Sequence, residues 1–368
     1  QDAQTVWVDA DSPEPNGHSQ RLVKPMAHGN VSQLVHRLSH GDHSVRRAAL
    51  VALSKLDATV LAPHTAAIAR CLQDVDWCVR NEGLDALRKL GGAAILPHAR
   101  SVARCLGDGD EYVRRAGLIA LGELEPVALA SHTDAIASCL RDEHPVVRKA
   151  ALDTVLKLNV AALTPLVDAI VQCLAQSDRL VRPAALLVLS KADPDVLAVH
   201  APAIALCLDD AQCSVRKASL DLLVKLGPSV LWLHVRSILG CLGDADGCVR
   251  KSALEALGKM GPQRMRPHFT RVAHCLTDAD ISVRKAAIIL LSTVEPAPEP
   301  AVLEPHVGVF VRCLDDFDCD VCCGALNILG HLQAIVLGSH AAAIARCLSC
   351  RRGAAAEAVQ RAALATLR

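Results

Sequence analysis

Aromatic side chains are nearly missing from these 368 residues: three Trp, three Phe and one Tyr, 2% of the chain. A binder of single-stranded nucleic acid stacks bases on aromatic platforms, and this composition offers few. Charge of one sign is missing as well. Lys plus Arg and Asp plus Glu stand at 39 each, a net charge of zero. A general polyanion binder needs a basic face that releases counterions from phosphates. No apolar run approaches the ~18–20 residues that cross a bilayer. There is no G-x-S-x-G elbow, P-loop, H-E-x-x-H pair or Rossmann glycine pattern, so no catalytic residue is expected and the chain does not read as an enzyme. The first residue is Gln, no signal-peptide pattern follows it, and Leu367-Arg368 falls inside an expected helix. The sequence reads as a piece of a longer protein.

What is present is a repeat. Val79-Arg80 recurs as Val113-Arg114, Val147-Arg148, Val181-Arg182, Val215-Arg216, Val249-Arg250 and Val283-Arg284, always 34 residues apart, and Val45-Arg46 precedes the series. A fixed period of this length marks stacked supersecondary units, one elongated body whose units touch only their neighbours. In the copy from Pro63 to Leu96, Ile68, Cys71 and Leu72 are spaced i, i+3, i+4, one face of a helix. Gln73-Asp74-Val75-Asp76 is polar turn chemistry. A second helix from about Val79 to Leu90 buries Val79, Gly83, Leu84, Leu87 and Leu90. The column of Gly83 is small in every copy (Ala49, Gly117, Ala151, Ala185, Ser219, Ala253, Ala287, Ala325) and marks the closest helix contact. Gly91-Gly92, Gly227-Pro228 and Gly261-Pro262 end second helices.

The fold class is therefore all-α, a right-handed α-solenoid of about ten two-helix units. Residues 1–28 are polar and aperiodic and read as a disordered lead-in. Units one to eight fill 29–295, a proline-rich kink is expected at 296–302, and units nine and ten occupy 303–368, truncated. Unit five is irregular: Leu166 replaces the His that starts other first helices, and Gln176 replaces the turn Asp. Of sixteen cysteines, nine form one column: Cys71, Cys105, Cys139, Cys173, Cys207, Cys241, Cys275, Cys313 and Cys347. Stacked helices lie ~8–10 Å apart and a disulfide needs Cα atoms within ~7 Å, so column neighbours cannot bridge. Thiols in this number point to a reducing compartment, cytoplasm or nucleus.

A helix pair with D-x-D-x-x-V-R at its turn and A-A-L-x-x-L after it resembles HEAT repeats, including the HEAT-like repeats of phycobilin-lyase-type proteins. The likeness runs from about 29 to 368 on eight Val-Arg pairs. The tetratricopeptide repeat shares the period but carries aromatic signature residues that this chain lacks. The resemblance implies a structural ladder made by the turn Asp and the Arg six residues later: Asp74/Arg80, Asp108/Arg114, Asp142/Arg148, Asp210/Arg216, Asp244/Arg250 and Asp278/Arg284. An Arg near a helix start has no favourable dipole and needs such a partner. Unit nine keeps Asp316 but has Cys322 for its Arg, so the ladder is expected to fail there. In function the architecture implies a non-catalytic protein-binding scaffold or adaptor that uses its concave face. The alternatives are a phycobilin-lyase-like or lyase-accessory protein and a nucleic-acid-binding HEAT protein. No cofactor is expected.

In the family the second helix lines the concave surface. Arg47, Lys55, Arg115, Lys149, Lys157, Lys191, Lys217, Lys225, Lys251, Lys259 and Lys285 stand on it as a candidate basic lining for an acidic or extended segment of another protein. A plainer reading is that acids four residues away pair with them, at ~0.2–0.5 kcal/mol each. A second column, His64, His98, His132, His200, His234, His268, His306 and His340, stands seven residues before the column Cys. The two sets lie ~10 Å apart along a helix, too far to share a metal, so packing or capping is the expected role. Cys319, Cys322 and Cys323 have C-x-x-C spacing at a helix start and are weak candidates for a metal or redox site against simple decay of the repeat. HEAT-like di-iron hydroxylases use His-Glu pairs, and none occurs here. HEAT-like DNA glycosylases place aromatics in their cleft, whereas Trp77 and Trp232 are expected elsewhere in the unit.

Overall fold

The computed structural model describes residues 31–176, 178–293, 300–332, 334–349 and 354–367. The expected lead-in, residues 296–299 of the expected kink, and Arg351-Arg352-Gly353 lie outside these. Among the described residues every regular element is helical. Second helices run from His43–Leu53, Trp77–Leu90 and Glu111–Leu121 through to Ala354–Leu367, and each packs beside the next. The apolar positions form one continuous core along the stack. The chain is an α-solenoid.

Local chemistry sets the boundaries. Asp42, Asp76, Asp110, Asp246, Asp280 and Asp318 each sit in extended backbone before a second helix and accept its first free N–H groups. Gly91, at φ 82°, turns the chain out of Trp77–Leu90, a conformation that glycine adopts without steric cost. Gly92 then passes so close to the next unit that a Cβ there would stand 2.1 Å from the Glu123 carbonyl oxygen. Gly83 does the same inside the unit, where a Cβ would meet Leu72 at 3.2 Å and Cys71 at 3.5 Å. The small column and the Cys column are thus the two sides of one helix contact.

The first helix departs from expectation. It is not one rod but a short lead turn followed by a second piece, as in Gly92–Ile95 and Leu96–His98 before Ala99–Arg104. The break falls at the His column, where His64, His98 and His132 hold φ between −107° and −118° with ψ near zero. Pro63, Pro97 and Pro267, just before the His, lack the N–H that would carry the helix through. None of these His side chains caps the helix it precedes. The ring instead packs back on the preceding unit: His200 Nε2 lies 3.1 Å from Asp168, and buried His306 lies 3.2 Å from the Thr270 hydroxyl.

Successive units are tied by arginine forks, and here the expected pairing needs correcting. The Arg does not bond the carboxylate six residues before it; it takes the carboxylate of the next unit. Nε and Nη2 donate at 2.6–2.9 Å in Arg46–Asp74, Arg80–Asp108, Arg114–Asp142, Arg216–Asp244 and Arg250–Asp278, each 28 residues apart. The Asp six residues back contributes its carbonyl: Arg80 Nη1 donates to Asp74 O at 2.9 Å, and Arg114 Nη1 to Asp108 O at 2.9 Å. One guanidinium therefore closes its own turn and holds its neighbour's. Between units eight and nine the four inserted residues are absorbed before the turn, because Arg284 still reaches Asp316, now 32 residues on, at 2.6 Å and 3.2 Å. In unit nine the expected loss is visible at Cys322. Its Sγ lies 3.3 Å from Asp316 O, where the Arg would donate, and it cannot reach a carboxylate beyond its own turn as a guanidinium does.

The column thiols fill a similar joint. Cys139 Sγ stands 3.6 Å from Leu106 O and Cys173 Sγ 3.3 Å from Leu140 O, each carbonyl belonging to the unit before. Burial pushes both thiols up to about 11, so they are inert packing groups with a weak donor.

Arg114 and Asp142 are each only 9% exposed at the side chain. Arg114→Ala should cost ~3–5 kcal/mol, because it strands a buried carboxylate, and hydrogen exchange should show units three and four opening first; unchanged exchange there would contradict the ladder. The same carboxylates set the acid limit. Burial alone would raise Asp74, Asp108, Asp142 and Asp278, but the Arg fork and the amide two residues on outweigh it and hold each below its usual 3.8. A depressed carboxylate adds stability above its unfolded value and loses it as pH falls further. This contribution should be constant from pH 8 to 5 and decline below about pH 4 in a denaturation series.

Candidate functional site

The second-helix face carries the expected basic residues, but most are engaged within the chain. Lys149 and Lys217 bond Asp153 and Asp221 at 2.6 Å, Lys251 lies 3.5 Å from Glu255, and Arg47 lies 3.3 Å from Glu82 of the next unit. Lys285 pairs with Asp318 and Asp320 of unit nine. The third column does something the sequence reading missed. Lys157 donates to Gly122 O, Lys191 to Leu156 O at 2.7 Å, and Lys225 to Ser190 O, each acceptor lying at the end of the preceding unit's second helix. A cation at a helix C-terminus satisfies orphan carbonyls and faces the negative end of the dipole. The signal was available, since a Lys recurs nine residues after the Arg in six units and stands about one repeat beyond a helix end. The candidate basic lining is thereby broken up. Only Lys55, Arg115 and Lys259 of those eleven lack a hydrogen-bond or ion-pair partner among the described residues.

Around Arg115 the face deepens into two adjoining chambers of about 720 and 700 Å³, and Arg115 and Ile119 line both. Trp77 and Tyr112 wall the outer chamber, their rings stacked 5.9 Å apart. Val146 and Leu180 wall the inner one. All four and Ile119 are exposed, from 37% for Ile119 to 66% for Leu180. Trp77 was expected elsewhere in the unit, and its place in this groove is a correction. It stands three residues before the Arg, in the first turn of Trp77–Leu90, and leans toward the next unit's Tyr112. Tyr112, Val146 and Leu180 share one column, two before the Arg, which reads Ser214, Cys248 and Ser282 in the next three units. That switch from apolar to polar was legible and was overlooked.

Unit five shows why Leu180 stands out. With Gln176 at the ladder position, Arg148 turns to Asp178 instead. Asp178 occupies the column of the capping Asp, so the helix loses its cap and begins only at Val181, behind an uncapped Leu180. The repair is partial. Arg148 Nε is buried with no partner, where every intact fork uses that atom.

Cys322 is wholly buried beside the carbonyls of Cys313, Leu314 and Asp316. Among the described residues no three His, Cys, Asp or Glu side chains gather as a metal site would require, and no helix is long and apolar enough to cross a membrane.

A family model described as a HEAT repeat associated with sister chromatid cohesion matches residues 133–155, 185–223 and 270–291. The chain is built of HEAT repeats. In all, 438 chains of solved structures match it, so the likeness is to an architecture and not to one protein. One of them, in a homology model of the full-length AP-3 complex in an intermediate open conformation, has a TM-score of 0.65 and 16% identity; the match covers 90% of this chain and 68% of that one. At that identity the likeness is one of fold. No curated protein matches the sequence. As a HEAT-repeat protein the chain presents repeated faces, and its particular chemistry lies where the repeats depart from one another.

Gln176→Asp should restore the two-bond fork to Arg148 and release Asp178 to cap its helix. Satisfying one buried donor is worth ~1–3 kcal/mol, so the melting temperature should rise; an unchanged or lower value would mean that Asp178 already serves both roles.

Proposed function

We propose that this HEAT-repeat protein is a non-catalytic scaffold or adaptor that holds a partner protein against its second-helix face. The observation that carries the reading is the groove over units two to five. An exposed stacked aromatic pair, three exposed aliphatic side chains and an unpaired Arg lie together on a face whose other charges are mostly paired. Aromatic and Arg side chains in a recess are the residue types that dominate protein interfaces, and contiguous exposed apolar surface on a soluble chain marks an interaction site. Repeat stacks use such faces to bind. The same reading puts the protein in a reducing compartment, cytoplasm or nucleus, and the nine buried column thiols support it.

The test is a three-way affinity capture with mass spectrometry. A Trp77→Ala/Tyr112→Ala variant should lose proteins that the parent chain retains. A control, Leu233→Ser, changes an exposed residue on a lead turn and should keep them. Identical sets from all three would sink the reading, and recovery of nucleic acid in place of protein would favour the nucleic-acid alternative.

A further inference from the structure

Arg115 breaks the charge pattern of its column. Its counterparts Lys149, Lys217 and Lys251 each find an acid four residues on. Arg47 and Lys285 have Val51 and Ile289 at that place, yet both reach an acid of the following unit. Arg115 has Ile119 four residues on, and unit four offers it Val146. It is left exposed and without a partner among the described residues, at the point where the two chambers meet. Together the chambers are lined by six Arg or Lys and five Asp or Glu side chains, a surplus of one positive charge.

We infer that the groove over units two to five takes an extended peptide segment that places one carboxylate on Arg115 between two apolar side chains, one against Trp77 and Tyr112 and one against Val146 and Leu180. The inference rests on the scaffold reading and specifies its occupant. Charge complementarity limits that occupant. A single surplus cation among five carboxylates matches one acidic residue, whereas a phosphodiester strand brings a charge at every step and would be repelled by the acids. A carboxylate also fits the planar fork of an Arg. Size follows from the stack. Three steps of ~9 Å between second helices give roughly 27 Å, which about eight extended residues span at ~3.3 Å each. The apolar column turns polar at Ser214, which sets the inner end of the groove.

The experiment selects a phage-displayed library of random dodecapeptides on the full chain and then measures fluorescein-labelled consensus peptides by anisotropy. Enriched peptides should carry one Asp or Glu with an apolar residue on each side. Binding should weaken at least tenfold in Arg115→Glu and in Tyr112→Ala, and stay unchanged in Lys251→Glu, which lies outside the groove. Replacing the peptide's acid by Lys should recover binding to Arg115→Glu, an outcome that a folding defect cannot produce. Peptides that ignore Arg115→Glu, a basic consensus, or labelled oligo-dT binding in place of peptide would each overturn the assignment. If partners captured as above still depend on Trp77 and Tyr112, the scaffold reading survives that failure; if they do not, both fall.

Discussion

Everything in this chain hangs on one guanidinium used in two directions. Each Arg of an intact fork donates through Nη1 to the carbonyls of its own inter-helix turn and through Nε and Nη2 to the carboxylate of the next unit. The receiving Asp then accepts its own backbone amide two residues on. The bonds therefore run from turn to turn as far as Asp316. A buried ion pair need not out-stabilise an apolar pair of the same shape, so net energy is a weak account of why this one is repeated. Geometry is a better one. A planar fork accepts a carboxylate in one orientation, and repeated every 34 residues it fixes how far and at what angle each unit sits from the last. Apolar contacts between second helices supply the attraction but would tolerate slippage along ridges and grooves.

The exceptions show how closely the rest follows. Four residues enter between units eight and nine, yet the Arg284–Asp316 bond is kept and the spacing simply grows. Where the acceptor itself is lost, at Gln176, the nearest carboxylate is taken from the helix cap, the helix start shortens, and one buried N–H goes without a partner. Where the donor is lost, Cys322 sits over the same carbonyl. In the first two cases the joint between units is kept, at Gln176 at the expense of the local helix cap, whereas at Cys322 the cap from Asp318 stays and the fork is lost.

Most of the architecture was legible because duplication writes each contact eight times over. Period, turn, helix order and the small column all come from residues that recur, and recurrence can be counted without coordinates. The direction of the Arg fork could not be counted. Asp74 lies six residues before Arg80 and Asp108 lies 28 after it, and both spacings repeat with equal regularity. Only the stacking of units decides between them. The His column left packing and capping both open for a related reason, since its position next to a helix start is also the position that faces the previous unit, where the rings pack. The lysines nine residues after the Arg looked like partners for acids on their own helix, yet the carbonyl ends they satisfy belong to another unit. Sequence spacing reports neighbours along a helix well and neighbours across a stack poorly.

The groove was missed for the opposite reason. It is written in residues that do not recur, and a search for columns discards these as noise. Trp77 and Tyr112 stand in columns without a consensus, and Arg115 and Ile119 pass as ordinary members of theirs. Placed on neighbouring helices they form one surface, because each unit contributes a single side chain and adjacent units set these side by side. Its inner wall depends on a defect in the scaffold as well. Leu180 is exposed in part because Asp178 has been drawn away to Arg148, so the loss of one ladder carboxylate both weakens a joint and shapes the surface beside it. A repeat protein gains a distinct site only by departing from its own repeat. Here two departures coincide, one in the ladder at Gln176 and one in the charge column at Ile119, and they fall on the same stretch of the same face.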